Sequence, residues 1–184
     1  MTSQAIDERS DTGFREDPER FTAVYDRYFD AIYAYVAARL GPEAAEDVAA
    51  ETFTVAFRQR LGFDPTRGEV RAWLFGIATN LVARHRRAEA RYYRALSRTS
   101  AEPPSPGHEG RVVATVTAEG LRPRLAAALA ALRPAERHVV LLVALAELSH
   151  EEISQALGIP YGTVGSRLSR ARAKLRTALE GTDR

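Results

Sequence analysis

Two rows of arginine with polar neighbours are the side chains of this sequence best suited to act on another molecule. The first row, Asn80, Arg84, Arg87, Arg91, Arg94 and Arg98, advances by four, three, four, three and four residues, so one face of an α-helix carries all of it. Tyr92 and Tyr93 are interleaved with it. Guanidinium groups follow a phosphate backbone and aromatic faces accept splayed bases, which suits single-stranded or melted nucleic acid. The same face also fits RNA or an acidic protein surface. The second row, Thr163, Ser166, Arg167, Arg170 and Lys174, shares one face of a later helix. Hydroxyls and guanidinium groups there are the types that bind phosphate oxygens and guanine edges in a major groove about 12 Å wide. Basic solvated faces also occur in bundles that never meet DNA. Covalent chemistry has weaker support. Without Cys there is no thiolate site, and His85, His108, His138 and His150 have neither metal-ligand spacing nor a nucleophile partner.

The second row needs a helix, a tight turn and a second helix, and the stretch from Leu148 to Leu179 encodes them. Ser149 as N-cap with Glu152 three residues on makes a capping box, and Leu148 with Ile153 makes a hydrophobic staple. Gly158 ends the first helix, Ile159 turns inward and Pro160 suits the first turn of the next. Val164, Leu168, Ala171, Leu175 and Leu179 form the buried stripe opposite the polar face. Upstream, Leu121, Leu125, Leu129 and Leu132 mark an Ala-rich helix. Pro134 opens another whose run Val139 to Ala146 is apolar on every side, so it is expected to be the central support of this unit.

The first row belongs to a helix expected from near Glu69 to Arg98, with Val70, Trp73, Leu74, Ile77, Ala78, Leu81 and Val82 buried. Two helices precede it. One starts at Asp17 and Pro18 and buries Phe21, Val24, Tyr25, Tyr28, Ile32, Val36 and Leu40 before Gly41 stops it. The other starts at Pro42, buries Ala45, Val48, Ala49, Phe53, Ala56 and Phe57, and leaves Asp47, Glu51, Thr54 and Arg58 outside. By spacing alone, that outer stripe reads first as an ordinary solvated face. Gly62 to Gly68 is a loop by composition, with Pro65 and two glycines breaking any helix.

Residues 1–14 hold few apolar side chains and are expected to be disordered. Residues 99–120, rich in Pro, Gly, Ser and Thr, are expected to be a flexible linker. Two small all-α domains, 15–98 and 121–181, follow. The net charge of +2 conceals a segregation: −6 over residues 1–64, +6 over 65–98, −2 over 99–159 and +4 over 160–184. Two separate basic blocks imply two separate contacts with a polyanion. No signal-peptide core or membrane-length apolar run is present, so a cytoplasmic, nucleoid-associated protein is expected.

EDVAAETFTVAFR from Glu46, FDPTRGEVRAWLFGIATNLVARHRR from Phe63 and LRPAERHVVLLVALAELSHEEISQALGIPYGTVGSRLSRARAKL from Leu132 resemble a bacterial RNA polymerase sigma factor of the extracytoplasmic-function (ECF) group. The resemblance implies a domain 2 bundle and a domain 4 helix-turn-helix. It implies core RNA polymerase (the β′ clamp and the β subunit), promoter DNA and an anti-sigma factor as partners, with no cofactor, no metal, no membrane insertion and no catalysis by the chain itself. Asp47, Glu51 and Thr54 would meet polymerase. The loop with Phe63, Asp64 and Arg67, together with Asn80, Arg84, Arg87 and Arg91, would hold the melted minus-10 strand. Thr163, Ser166, Arg167, Arg170 and Arg172 would contact the minus-35 element, Arg172 being less exposed and bonding phosphate. Gly165 departs from the Lys or Arg usual in the family. A conventional operator-binding regulator is the rival reading: it would bind DNA without polymerase.

Overall fold

The computed structural model describes residues 10–99 and 121–180, so residues 1–9, 100–120 and 181–184 lie outside it, and with them all but the first residue of the expected linker 99–120 and the last of the expected second domain. The side chains of Tyr92, Tyr93, Arg94 and Arg98 also lie outside the described part. Every regular element among the described residues is helical, and the chain divides into two compact units.

In the first unit, Asp17 caps a 3-10 turn at Pro18–Arg20 by accepting from the Glu19 amide at 3.1 Å. The chain then forms α1 (Phe21–Leu40), α2 (Pro42–Gln59) and α3 (Val70–Thr99). Gly41, at φ 87°, is the only residue between α1 and α2, a conformation that costs a side-chain-bearing residue strain. It reverses the chain, so Phe21 meets Phe57 and Tyr25 meets Phe53, with ring centroids 5.3 and 4.9 Å apart. α3 runs alongside both.

The buried face of α1 is rotated from the expected stripe. Tyr25 is partly exposed, whereas Tyr35 and Arg39 are buried with Phe21, Val24, Ile32 and Val36. The reason is a polar lock between α1 and α3. Arg39 Nη1 donates to the Tyr35 hydroxyl at 2.5 Å, and that hydroxyl shares a hydrogen bond with Thr79 at 2.8 Å. Arg86 Nη2 then donates to the Arg39 carbonyl at 2.6 Å, occupying an acceptor that the end of α1 leaves open. Burial pushes the Tyr35 phenol up and pulls the Arg39 guanidinium down, each opposed by the other's proximity.

Residues 10–14, expected to be disordered, are ordered: Ser10–Arg15 is a 3-10 turn and Phe14 is fully buried. Phe14 stacks on Trp73 at 6.2 Å and meets Phe63 and Phe21 at 5.7 Å each, so three rings compensate for ordering an otherwise polar segment.

The second unit comprises α4 (Leu121–Ala131), α5 (Pro134–Ala146), α6 (His150–Leu157) and α7 (Tyr161–Glu180). Its centre is α7, packed on the other three helices, and not α5 as expected. α5 buries Val139, Val140, Leu142 and Ala146 but leaves Leu145 exposed, so its apolar run is one-sided. In α4 it is Ala128 that packs inward while Leu125 faces out. Arg124 Nη2 donates to the Leu179 carbonyl at 2.7 Å and ties α4 to the end of α7.

Candidate nucleic-acid interface

The loop between α2 and α3 is held from beneath and shaped from within. Phe63 is buried against Trp73, ring centroids 5.0 Å apart, and so anchors the base of the loop. Asp64 Oδ1 accepts from the Thr66 amide at 2.9 Å and the Thr66 hydroxyl at 2.7 Å, and the Arg67 amide donates to the Asp64 carbonyl at 3.1 Å. This is an Asx turn with Pro65 at its first corner. The Thr66 hydroxyl, then its amide, hold the Asp64 carboxyl below the usual carboxylate range. Asp64 thus sets the loop's shape, and Arg67 is left on its exposed rim.

From that loop α3 carries Asn80, Arg84, Arg87 and Arg91, all exposed, along a rise of about 16 Å at 1.5 Å per residue. The Tyr35, Arg39 and Thr79 lock lies one residue behind Asn80 and fixes which way this face points. On α2, Asp47 is exposed, and the Thr54 hydroxyl, also at the surface, donates back to the Ala50 carbonyl at 3.0 Å. Glu51 is half-buried and pairs with Arg84. The acidic row of α2 and the basic row of α3 are therefore joined by an ion pair, which spacing within either helix could not disclose.

In the second unit the capping box is complete: the Glu152 amide donates to Ser149 Oγ at 3.2 Å and the Ser149 amide to Glu152 Oε2 at 2.7 Å. Leu148 and Ile153 are buried beside it as a staple. Gly158 at φ 60° ends α6, with the Ile159 amide donating to the Ser154 carbonyl at 3.1 Å. The Pro160 carbonyl accepts from the Thr163 amide at 2.8 Å, starting α7.

Val164, Leu168 and Ala171 are buried, and Leu175 and Leu179 are half-buried, as the stripe requires. Thr163 and Arg167 are half-buried beside exposed Ser166 and Arg170, so these four share one outward face. Arg172 does not join them. It is exposed, contrary to expectation, and at 100° per residue it lies about 200° round α7 from Arg170. Arg170 and Lys174 share a partner that the period of α7 does not reveal: Glu136 of α5, its side chain 5% exposed, lies 3.6 Å from Arg170 Nε and 2.7 Å from Lys174 Nζ. Tyr161 is exposed at the first position of α7, outside both rows, with its ring 5.9 Å from that of His150.

Comparison with known proteins bears on both units. The family described as Sigma-70 region 2 matches residues 24–92, and Sigma-70, region 4 matches residues 122–175. The ECF RNA polymerase sigma factor SigW of Bacillus subtilis is 34% identical over 177 residues, which is 89% of this chain and 90% of SigW. This chain belongs to the ECF sigma factors. SigE of Mycolicibacterium smegmatis is 38% identical over 143 residues, 73% of this chain but 51% of that protein. Among solved structures, CnrH in complex with the cytosolic domain of CnrY superposes with a TM-score of 0.64 at 25% identity, covering 95% of this chain and 99% of CnrH. The sigma factor RpoE in complex with the anti-sigma factor NepR from Bartonella quintana shares the fold, with a TM-score of 0.62 at 24% identity over 90% and 99% of the two chains. ECF sigma factors confer promoter-specific initiation on RNA polymerase and are specificity subunits, without catalysis of their own. Among the described residues of this sigma factor no group of acidic or imidazole side chains is gathered to hold a metal, and no helix is long and apolar enough to cross a membrane.

Proposed function

We propose that this sigma factor docks on the core polymerase clamp through Asp47, Glu51 and Thr54 of α2, holds the melted minus-10 strand along α3, and reads the minus-35 element with α7. The observation that carries this reading is the pair of outward basic faces, each on a separate unit and each fixed by a local device. Under α3 the device is the Tyr35, Arg39 and Thr79 lock, and before α7 it is the capped α6 with its Gly158 turn.

The loop supports strand capture by its rim and its base. Phe63 and Asp64 hold its shape, and Arg67 stands at the edge beside the start of α3. Captured, unstacked bases offset the base pairing lost on melting, so opening needs no covalent step. On α7, Thr163, Ser166, Arg167 and Arg170 face the groove, while Arg172, on the far side of the helix, has no part in base reading. A partner that covers these faces, an anti-sigma factor, belongs to the same reading and is supported by the CnrH structure, which includes the cytosolic domain of CnrY. The site of action is the nucleoid in the cytoplasm, and a contact with the β subunit belongs to the same reading.

The test separates this reading from an operator-binding regulator. DNase footprints of genomic promoter fragments are compared with the chain alone, with core polymerase alone and with both. Protection of two elements only when both are present is expected, and full protection by the chain alone would overturn the proposal.

A further inference from the structure

Glu136 is the strongest feature that the two basic faces leave unexplained. A glutamate whose side chain is 5% exposed sits in the first turn of α5, yet its carboxylate is aimed at α7, with Lys174 Nζ on Oε2 at 2.7 Å and Arg170 Nε 3.6 Å from Oε1. Buried carboxylates are tolerated when paired, so burial and pairing explain each other. What they do not explain is why an acid stands behind a helix face meant for a polyanion, where it opposes binding through its charge.

The geometry of the arginine supplies a reason. Guanidinium donates from one Nε and two Nη groups in a fixed planar fork. The carboxylate lies on the Nε side, and the Arg170 side chain remains 58% exposed. An arginine whose Nε edge faces the carboxylate as an ion pair turns both Nη groups away from that contact, toward an outside acceptor, and the attraction favours the rotamers that keep this arrangement. Both Nη groups together match the O6 and N7 of guanine.

We infer that Glu136 is a positioning residue for minus-35 recognition: it fixes Arg170 from behind so that its Nη pair is presented to one guanine, trading overall affinity for discrimination. The inference rests on the reading of α7 as the minus-35 reader. Lys174 holds the carboxylate in place, and the hydrogen bond it donates, ahead of the opposing effect of burial, keeps the Glu136 carboxyl below its ordinary range. The carboxylate is therefore charged whenever DNA binds at neutral pH. A purely structural glutamate would affect stability and leave base preference alone, and a merely repulsive one would weaken all sequences alike.

Holoenzyme assembled from core polymerase and the full chain is presented with a promoter library randomised across the minus-35 element. Wild type, Glu136→Gln, Arg170→Ala and the double variant are compared for selected sequences and for retention on promoters lacking the element. At one position of the element, Glu136→Gln is expected to reduce discrimination about tenfold, within the range of one bidentate contact, while retention on element-free DNA rises. In the Arg170→Ala background the same change should cost no further discrimination. Glu136→Asp keeps the charge and draws the carboxylate back, so it should lose discrimination without the gain on element-free DNA. It carries the test if circular dichroism shows that Glu136→Gln is not folded at the assay temperature. Discrimination unchanged in the folded variant, or lost equally with and without Arg170, overturns the inference. A wild type with no minus-35 preference would instead overturn the reading of α7 itself.

Discussion

Replacing Arg84 with alanine separates strand binding from folding and from polymerase binding. In the free protein Arg84 pairs with Glu51, but the two side chains are 62% and 41% exposed. An ion pair so open to water contributes at most about 1 kcal/mol, so the variant should melt within that margin of wild type. On the opened promoter the arginine would exchange Glu51 for a phosphate, and a hydrogen bond to a charged group is worth about 1.5–3 kcal/mol. Open-complex formation should therefore fall by roughly ten- to a hundredfold, and the slope of log affinity against log salt should shrink by about 0.7, one single-strand phosphate contact. The assay is permanganate reactivity of unpaired thymines on a promoter fragment from which the wild-type holoenzyme initiates, run across a salt series with sigma factor saturating. Core affinity is measured in parallel by co-purification. Equal losses in opening and in core binding, or opening unchanged, would refute the assignment of Arg84 to the strand.

Four other perturbations probe the remaining parts. Asp47→Arg with Glu51→Arg should abolish co-purification with core polymerase while leaving helix content intact; normal co-purification returns that stripe to a solvated face. Phe14→Ala removes a ring enclosed by three others and should destabilise the first unit by about 3–5 kcal/mol, read by urea unfolding; a change below about 1 kcal/mol would mean the N-terminal turn is not part of the core. Gly165 sits mid-helix with nothing within 4 Å of where a Cβ would stand, so Gly165→Ala should stabilise the second unit by about 0.5–1 kcal/mol in thermal melts. The Glu136 carboxyl, flanked by Lys174, Arg170 and Arg133, has its pKa lowered on folding. The stability it contributes is therefore complete above the ordinary carboxylate range and is lost as pH falls through the lowered value. The difference in melting temperature between wild type and Glu136→Gln should vanish in acid; a difference independent of pH would contradict the pairing.

Helical periodicity and capping chemistry made most of the architecture legible. Ser149, Glu152 and Gly158 fix the start and end of α6 by local hydrogen bonds, which depend on residues only a few positions apart. Gly41 and Pro42 likewise mark the turn between α1 and α2. Contacts between helices were not legible, because period gives a face and not its partner. Phe14 looked solitary in a polar segment, and only the assembled cluster of Phe21, Phe63 and Trp73 explains its burial. The apolar run of α5 suggested a helix enclosed on every side, yet Leu145 faces out because α7 takes the central place. Glu136 and Arg170 lie 34 positions apart, and Glu51 and Arg84 lie 33 apart. No repeat or motif connects such pairs, although a charged residue within the apolar face of α5 was a signal available for Glu136.

The central claim is that this chain, by gripping opened strand and intact duplex at once, tells core polymerase where to start. It is tested most directly by mapping the 5′ ends of RNA made on genomic fragments by purified core enzyme with and without the chain. Discrete new start sites, each preceded by the same two spaced elements, are predicted. Identical 5′ ends in the two reactions on every fragment would contradict it.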